Sequence, residues 1–240
     1  MKNPKIALVG STGKMGREIL IAAQKADREV RHFVSNKKSS DKKVVAFKKL
    51  SGKEVDLVID FSVPEMMSEA LAWCVKNKIA FVSGTTGISA NQEKELVAAA
   101  KSIPVFWASN FSIGIALMTE MLSVFSQGNA FDFQIEEVHH RHKKDSPSGT
   151  AKSLQSALKK IIKKDLPEPV AIRGGEIFGI HKVWAMSPTE NITIEHCALN
   201  RSVFAEGALR AGLWLVDQKP GKYSMQDLLG ASHLLRTHRA

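Results

Sequence analysis

Cysteine is nearly absent, with two in 240 residues. Cys74 and Cys197 lie far apart, which excludes a disulfide framework and any cysteine-based metal pattern. Both are expected to be reduced packing residues, the common state of a free cysteine. No apolar run approaches the roughly 20 residues that a membrane span needs. The apolar stretch near the N-terminus, Ile6-Ala7-Leu8-Val9, is too short for a signal peptide and lacks a small-residue cleavage site. A cytoplasmic location without membrane contact is therefore the expectation. Internal repeats and low-complexity segments are also missing. Acidic residues are in deficit, 24 against 34 Lys and Arg, for a formal net charge of +10. That balance fits a nucleic-acid surface, a site for small anions, or a solvated lysine-rich face. Pairs such as Lys37-Lys38, Lys42-Lys43 and Lys159-Lys160 favour the solvated face for many of the lysines. Charge alone does not separate these readings; motifs have to.

The chain is long enough for one large domain or two small ones. Lys5–Val9 reads as a strand. A glycine loop follows it, and Met15, Ile19, Ala22, Ala23 and Ala26 then recur at helical spacing. Arg28–Ser35, Val55–Phe61, Ile79–Ser83 and Pro104–Ala108 read as further strands. Between them lie a helix opened by Pro64 and running to about Asn77, and a helix announced by the capping-box pair Ser89 and Gln92. Strands alternating with helices, and apolar on both faces, predict an α/β fold: a Rossmann doubly wound parallel sheet. After Asn110 the pattern changes. A long apolar helix is expected over Phe111–Gln127, a half-exposed strand over Phe131–Val138 and a helix over Ser148–Lys163. Strands near Ile177–Met186 and Asn191–Ala198 and a last helix over Arg201–Val216 complete it. This half predicts a C-terminal α+β domain, an open mixed or antiparallel sheet with helices on one face.

Gly10-x-x-Gly13-x-x-Gly16, after a strand and before a helix, is a dinucleotide-binding arrangement. Glycines permit the tight turn and close approach to a pyrophosphate, and the helix N-terminus offers free N–H groups and a positive dipole end. The competing reading is a glycine turn with no ligand. NAD-preferring folds place an acid at the end of the second strand to hold the ribose hydroxyls. Here that place reads Ser35-Asn36-Lys37-Lys38. A small polar residue followed by cations suits a 2′-phosphate, so NADPH is expected to be preferred over NADH.

The densest chemistry lies in Glu137-Val138-His139-His140-Arg141-His142-Lys143-Lys144-Asp145-Ser146-Pro147-Ser148-Gly149-Thr150-Ala151. Three histidines and three cations fall within six residues. Ser148, Gly149 and Thr150 then offer N–H and hydroxyl donors at a helix start, a seat for a carboxylate. Histidines exchange protons near neutrality, and Lys143 can bind an anion or give a proton. The pattern predicts a small acidic substrate that is protonated during reaction. A zinc site is the weaker alternative, because histidines at i, i+1 and i+3 lack nearby Cys or acid ligands in a usual spacing. No metal is expected.

This stretch resembles the signature Glu-x-His-His-x-x-Lys-x-Asp-x-Pro-Ser-Gly-Thr-Ala of the 4-hydroxy-tetrahydrodipicolinate reductase family. The resemblance extends over most of the chain: Val9–Arg17, Asp60-Phe61-Ser62-x-Pro64, Gly84-Thr85-Thr86-Gly87 and Asn110-Phe111-Ser112-x-Gly114 match family motifs. So do Arg173-Gly174-Gly175, Gly179-x-His181 and the run from Arg201 to Ala208. It implies a Rossmann domain over 1–110, rejoined by a return segment 213–240, and a substrate-binding and oligomerisation domain over 111–212. It implies that Gly10, Ser11, Thr12, Gly13, Lys14 and Met15 hold the pyrophosphate, while Asn36 and Lys37, read above from the end of the second strand, are the residues expected at the 2′-phosphate. It further implies that Gly84, Thr85, Thr86, Ala108, Ser109, Asn110 and Phe111 line the nicotinamide. His139 becomes the proton donor/acceptor and Lys143 the proton donor, while His140, Lys143, Ser148, Gly149 and Thr150 hold a dicarboxylate. The implied reaction is NAD(P)H-dependent reduction of 4-hydroxy-tetrahydrodipicolinate to tetrahydrodipicolinate, in lysine and diaminopimelate biosynthesis, by a homotetramer. The compact segment between His181 and Glu195 implies an oligomer-forming sheet that differs in detail from the family's. Two rivals stand beside this reading. One is another Rossmann reductase of a small acidic amino or imino acid, aspartate-dehydrogenase-like, which need not carry His-His-x-x-Lys and Pro-Ser-Gly-Thr. The other is a basic nucleotide-sensing or nucleic-acid-binding module without turnover, which the intact His139, Lys143 and Thr150 set disfavours.

Overall fold

A computed structural model describes residues 3–34, 44–45, 50–127 and 130–230 of the chain. The elements run β1 (Ile6–Val9), α1 (Lys14–Lys25), β2 (Val30–Val34), β3 (Val44–Val45), β4 (Leu57–Asp60), α2 (Pro64–Asn77), β5 (Ala80–Ser83), α3 (Ala90–Ala99) and β6 (Pro104–Trp107). They continue as α4 (Ile113–Met121), β7 (Asp132–His139), α5 (Gly149–Ile162), β8 (Val170–Arg173), β9 (Ile180–Met186), β10 (Asn191–Cys197), α6 (Ser202–Leu215), β11 (Gly221–Tyr223) and α7 (Met225–Leu229). Two compact units result, residues 1–111 with 204–240, and residues 112–203.

In the first unit, seven parallel strands stand in the order β11-β6-β5-β4-β1-β2-β3. The order reverses between β1 and β4, the switch point at which such sheets bind ligands beyond their carboxyl ends. β1, β4 and β5 are buried at every position, as strands covered on both faces must be. One face (Ala7, Val9, Val58, Phe81, Val105) packs under α2 and α3 through Met67, Leu71 and Leu96. Pro64 stands in the first turn of α2, and Ser89 and Gln92 close a reciprocal capping box at α3. The opposite face receives α6. A Cβ on Gly212 would come within 2.8 Å of Leu57 Cδ2, and one on Gly207 within 1.8 Å of the Phe111 carbonyl oxygen. That closeness explains why the structure groups residues from 204 onward with the first unit, whereas the sequence placed the change at 213. The small residues of α6 fit it flush against the parallel sheet, which an apolar helix pattern alone does not reveal.

The second unit is a four-stranded mixed sheet, order β10-β9-β7-β8, with only β7 and β8 parallel. Its core joins Phe133, Ile135, Val183 and Ala185 of the sheet to Leu154 and Leu158 of α5 and Met118 and Leu122 around the end of α4. The apolar helix expected over 111–127 is shorter. Ser112 caps α4, its Oγ accepting the Ile115 N–H, and Leu122–Gln127 tightens into a 3-10 helix. A single turn of apolar residues does not distinguish the two pitches. β8 and β11, four and three residues long, were too short to register as strands. Cys74 is buried, but Cys197 is exposed. It ends the edge strand β10 and is no packing residue. No helix among the described residues is long and apolar enough to cross a membrane.

Candidate functional site

In the first unit, Gly10 leaves β1 with φ +79°, and the Gly13 N–H donates to its carbonyl at 2.9 Å. A Cβ on Gly10 would lie 2.2 Å from the Phe61 carbonyl oxygen, and one on Gly16 would lie 2.3 Å from the Gly10 carbonyl oxygen. Both positions are therefore closed to any side chain. Gly13 caps α1 without a side-chain bond, and no acid occupies the first turn. The N-terminal amides and dipole of a 12-residue helix thus face outward beside Lys14. The Ser11 hydroxyl, 6% exposed, has no hydrogen-bond partner among the described residues. An orphaned donor beside uncapped amides fits the pyrophosphate of a dinucleotide. The predicted contacts Asn36 and Lys37 lie outside the described residues.

Gly84 follows β5, its N–H donating to the Asp60 carbonyl at 2.9 Å, and a Cβ there would strike the Phe61 ring at 2.3 Å. Thr85 is committed on every side. Its hydroxyl donates to Asp60 Oδ2 (2.7 Å) and accepts the Ser62 N–H (3.1 Å), its N–H reaches Ser83 Oγ (3.1 Å), and its carbonyl accepts Trp107 Nε1–H (3.1 Å). Ser62 and Ser83 hydroxyls also donate to Asp60, the latter at 2.7 Å. Burial pushes the Asp60 carboxyl up, and these hydroxyls offset that only in part. Thr85 thus builds the loop, leaving Gly84 and the exposed Thr86 as its open surface. Phe111, 2% exposed, stacks on Phe106 at 5.7 Å and tilts against Phe61 at 5.5 Å. It supports Ala108, Ser109 and Asn110, which carry the accessible surface.

In the second unit β7 alternates buried and open residues, and Glu137 and His139 both face inward. Sheet register sets His139 beside Arg173 of β8 and Glu137 across from His181 of β9. Glu137 is fully buried. Its Oε1 accepts from Arg173 Nη2 (2.7 Å) and the Ser148 N–H (3.0 Å), and its Oε2 accepts from Arg173 Nη1 (2.9 Å) and meets His139 Nδ1. Burial pushes the Glu137 carboxyl up, yet the bonds from Arg173, His139 and Ser148 outweigh it and hold the group below its ordinary value. Burial lowers His139, and the Glu137 bond and charge only partly restore it. The His181 ring stands edge-on to His139 at 5.1 Å, with Nε2 at 3.3 Å from Ser148 Oγ. Burial, then the His139 charge, pushes it down to about 3.

Lys143 Nζ pairs with Asp145 Oδ1 at 2.8 Å. Burial raises Asp145, but Lys143 and nearby backbone N–H groups, Gly149's among them, leave it lowered. Ser148 is fully used: its N–H goes to Glu137, and its hydroxyl caps α5 by accepting the Ala151 N–H at 3.2 Å. Gly149 has open space where a Cβ would sit. His140 is half-buried and lowered by burial and then by Arg201, whereas His142 is exposed and nearest Glu176, at 3.8 Å. His139 faces the core of the unit while the His140 and His142 rings lie 6.2 Å apart outside it, and among the described residues no three His, Cys, Asp or Glu groups form a candidate metal site. Sequence reasoning missed Glu137, Arg173 and His181 as members of this cluster. The i, i+2 spacing of Glu137 and His139 was the available signal, since it puts both on one strand face. The partners from β8 and β9 needed the register.

Residues 4–111 match the family profile described as dihydrodipicolinate reductase, N-terminus, and residues 114–229 the one described as dihydrodipicolinate reductase, C-terminus. A 4-hydroxy-tetrahydrodipicolinate reductase of Bdellovibrio bacteriovorus is 47% identical over 231 residues, 95% of this chain and 97% of that protein. One from Acinetobacter baumannii is 35% identical, covering 95% and 96%. Among solved structures, a dipicolinate-bound dihydrodipicolinate reductase from Paenisporosarcina sp. TG-14 superposes with TM-score 0.78 at 21% identity, over 94% of this chain and 99% of that one. Aspartate dehydrogenase from Thermotoga maritima shares the fold at TM-score 0.53 and 16% identity, over 91% and 98%.

Proposed function

The chain belongs to the 4-hydroxy-tetrahydrodipicolinate (dihydrodipicolinate) reductase family, NAD(P)H-dependent oxidoreductases of lysine and diaminopimelate biosynthesis, and from that premise we propose how its own residues divide the reaction. Loss of water puts a proton on the departing hydroxyl and takes one from the neighbouring ring carbon, and hydride addition then leaves an electron-rich ring that asks for a proton. The bound nicotinamide supplies the hydride. The glycine loop Gly10–Met15 and the uncapped start of α1 hold the pyrophosphate. Gly84, Thr86 and Ala108–Asn110 meet the nicotinamide, with Thr85 and Phe111 shaping them from behind.

His139 exchanges the proton, and Lys143 donates one and offsets substrate charge. Gly149 and Thr150 at the head of α5, with His140 and Lys143, take the carboxylates, while Ser148 fixes the helix start. The observation that carries this division is the packing of His139 against a buried Glu137–Arg173 pair with Lys143 following it in the same segment. Three finer readings accompany it. NADPH is preferred, on the strength of Ser35-Asn36-Lys37-Lys38. The enzyme acts in the cytoplasm. It assembles as a homotetramer through the sheet face turned away from α5, where Val138, Val170, Ile172, Trp184 and Met186 lie half-buried or exposed around the Lys182–Glu195 ion pair.

The test is a coupled assay with aspartate semialdehyde, pyruvate and the synthase that condenses them, following NADPH and NADH oxidation. Synthase-dependent oxidation with higher kcat/KM for NADPH is expected. A clear NADH preference refutes the cofactor reading, and no oxidation with either refutes the substrate.

A further inference from the structure

We propose that Glu137, clamped by Arg173 and by the N-terminus of α5, is a positioning residue that fixes His139 as its Nδ1–H tautomer and so makes Nε2 the nitrogen that exchanges protons. The inference rests on the reading of His139 as the proton-transfer group.

Glu137 meets four partners. Three of them, two guanidinium N–H groups of Arg173 and the Ser148 amide, can only donate. The charged, bidentate Arg173 and the Ser148 amide outweigh burial and hold the carboxyl ionised, below its ordinary value, and an ionised carboxylate can only accept. The fourth partner, His139 Nδ1, must therefore carry the hydrogen, and the neutral ring keeps its lone pair on Nε2. The surroundings leave that nitrogen room. A Cβ on Gly179 would lie 3.0 Å from Nε2, and the glycine has none. The other groups around the ring are His181 on β9, edge-on at 5.1 Å, Lys143 in the segment after β7, and Arg173 on β8. Among the described residues, Glu137 is the group that Nδ1 meets. An acid behind a proton-exchanging imidazole, itself held by donors that cannot reverse, fixes both tautomer and ring orientation.

Nitrogen-15 spectra of the histidine rings in the cofactor-free wild-type enzyme are the first measurement. A protonated Nδ1 and an unprotonated Nε2 are expected for neutral His139, and the opposite assignment overturns the proposal whatever the activity. The second is Glu137→Gln. Its amide oxygen can keep the bonds from Ser148 and Arg173 Nη2 at the Oε1 position. The NH2 then faces Nδ1, and the ring inverts to the Nε2–H form. We expect kcat to fall at least about a hundredfold, with KM little changed. The acid limb of the pH profile should move down, because the carboxylate that favours the protonated ring is gone while Arg173 and Lys143 remain. A Gln variant with Nδ1 still protonated and wild-type kcat overturns the proposal. An inverted tautomer with unchanged kcat upholds Glu137 as the group that sets the tautomer but overturns Nε2 as the proton-exchanging nitrogen, and with it the proton-transfer role of His139. Should the Gln variant fail to fold, the wild-type spectra still decide.

Discussion

His181 should make the second unit acid-sensitive well above the carboxylate range. The ring is 3% exposed, lies between His139 and Ser148, and is held neutral down to about pH 3, against an ordinary value of 6.5. In the unfolded chain it protonates near 6.5, and in the folded chain it does not. Because the folded value is the lower one, its contribution is fully present above pH 6.5 and is lost progressively as pH falls toward 3. Linkage over that window gives about 2 kcal/mol lost at pH 5 and about 3 kcal/mol at pH 4. His181→Gln keeps a polar group near Ser148 and removes the titration. Equilibrium urea unfolding of both proteins at pH 7 and pH 5 isolates the effect as a double difference. The wild type should lose about 2 kcal/mol more than the variant between the two pH values. Equal losses would show that the ring takes up its proton in the folded state and that burial does not hold it neutral.

Other consequences are quicker to check. Lys143→Ala should lower kcat by more than about a hundredfold, and wild-type turnover would remove it from the chemistry. In Gly16→Ala the new Cβ lies 2.3 Å from the Gly10 carbonyl oxygen and 2.7 Å from Ser11 Cα. The loop must shift, and NADPH titration by fluorescence should show at least about tenfold weaker binding, the equivalent of 1.4 kcal/mol. Asp60→Asn puts an amide where three hydroxyls now donate. About 1–3 kcal/mol of stability should go, read as a lower Tm, and an unchanged Tm would mean the network contributes nothing. Trp184→Lys adds a charge to the open face of the mixed sheet beside Lys182. Light scattering should find smaller assemblies, and an unaltered mass would place the contact elsewhere.

The sequence was most legible where one segment carries the whole signal. The glycine loop needs only Gly10, Gly13 and Gly16 between a buried strand and a helix, because turn, close approach and helix start are all local. Pro64 and the Ser89–Gln92 pair marked helix starts for the same reason. The fold class followed from apolar strands alternating with helices, and the family from the ordered motifs. The tertiary structure decided what depends on register and closeness. His139 and Lys143 stood out in the chain, but the acid behind His139 was known only as a signature letter until β7 paired with β8 and β9. That pairing brought Arg173 and His181, 34 and 42 positions further on, to the same face. Thr85 and Ser148 looked like ligand contacts and proved to have their polar groups engaged, by Asp60 in one case and by Glu137 and the helix cap in the other. The partition of α6 likewise turned on how closely Gly207 and Gly212 approach Phe111 and Leu57. A residue's type limits the bonds it can make, but only the fold determines which partners reach it first.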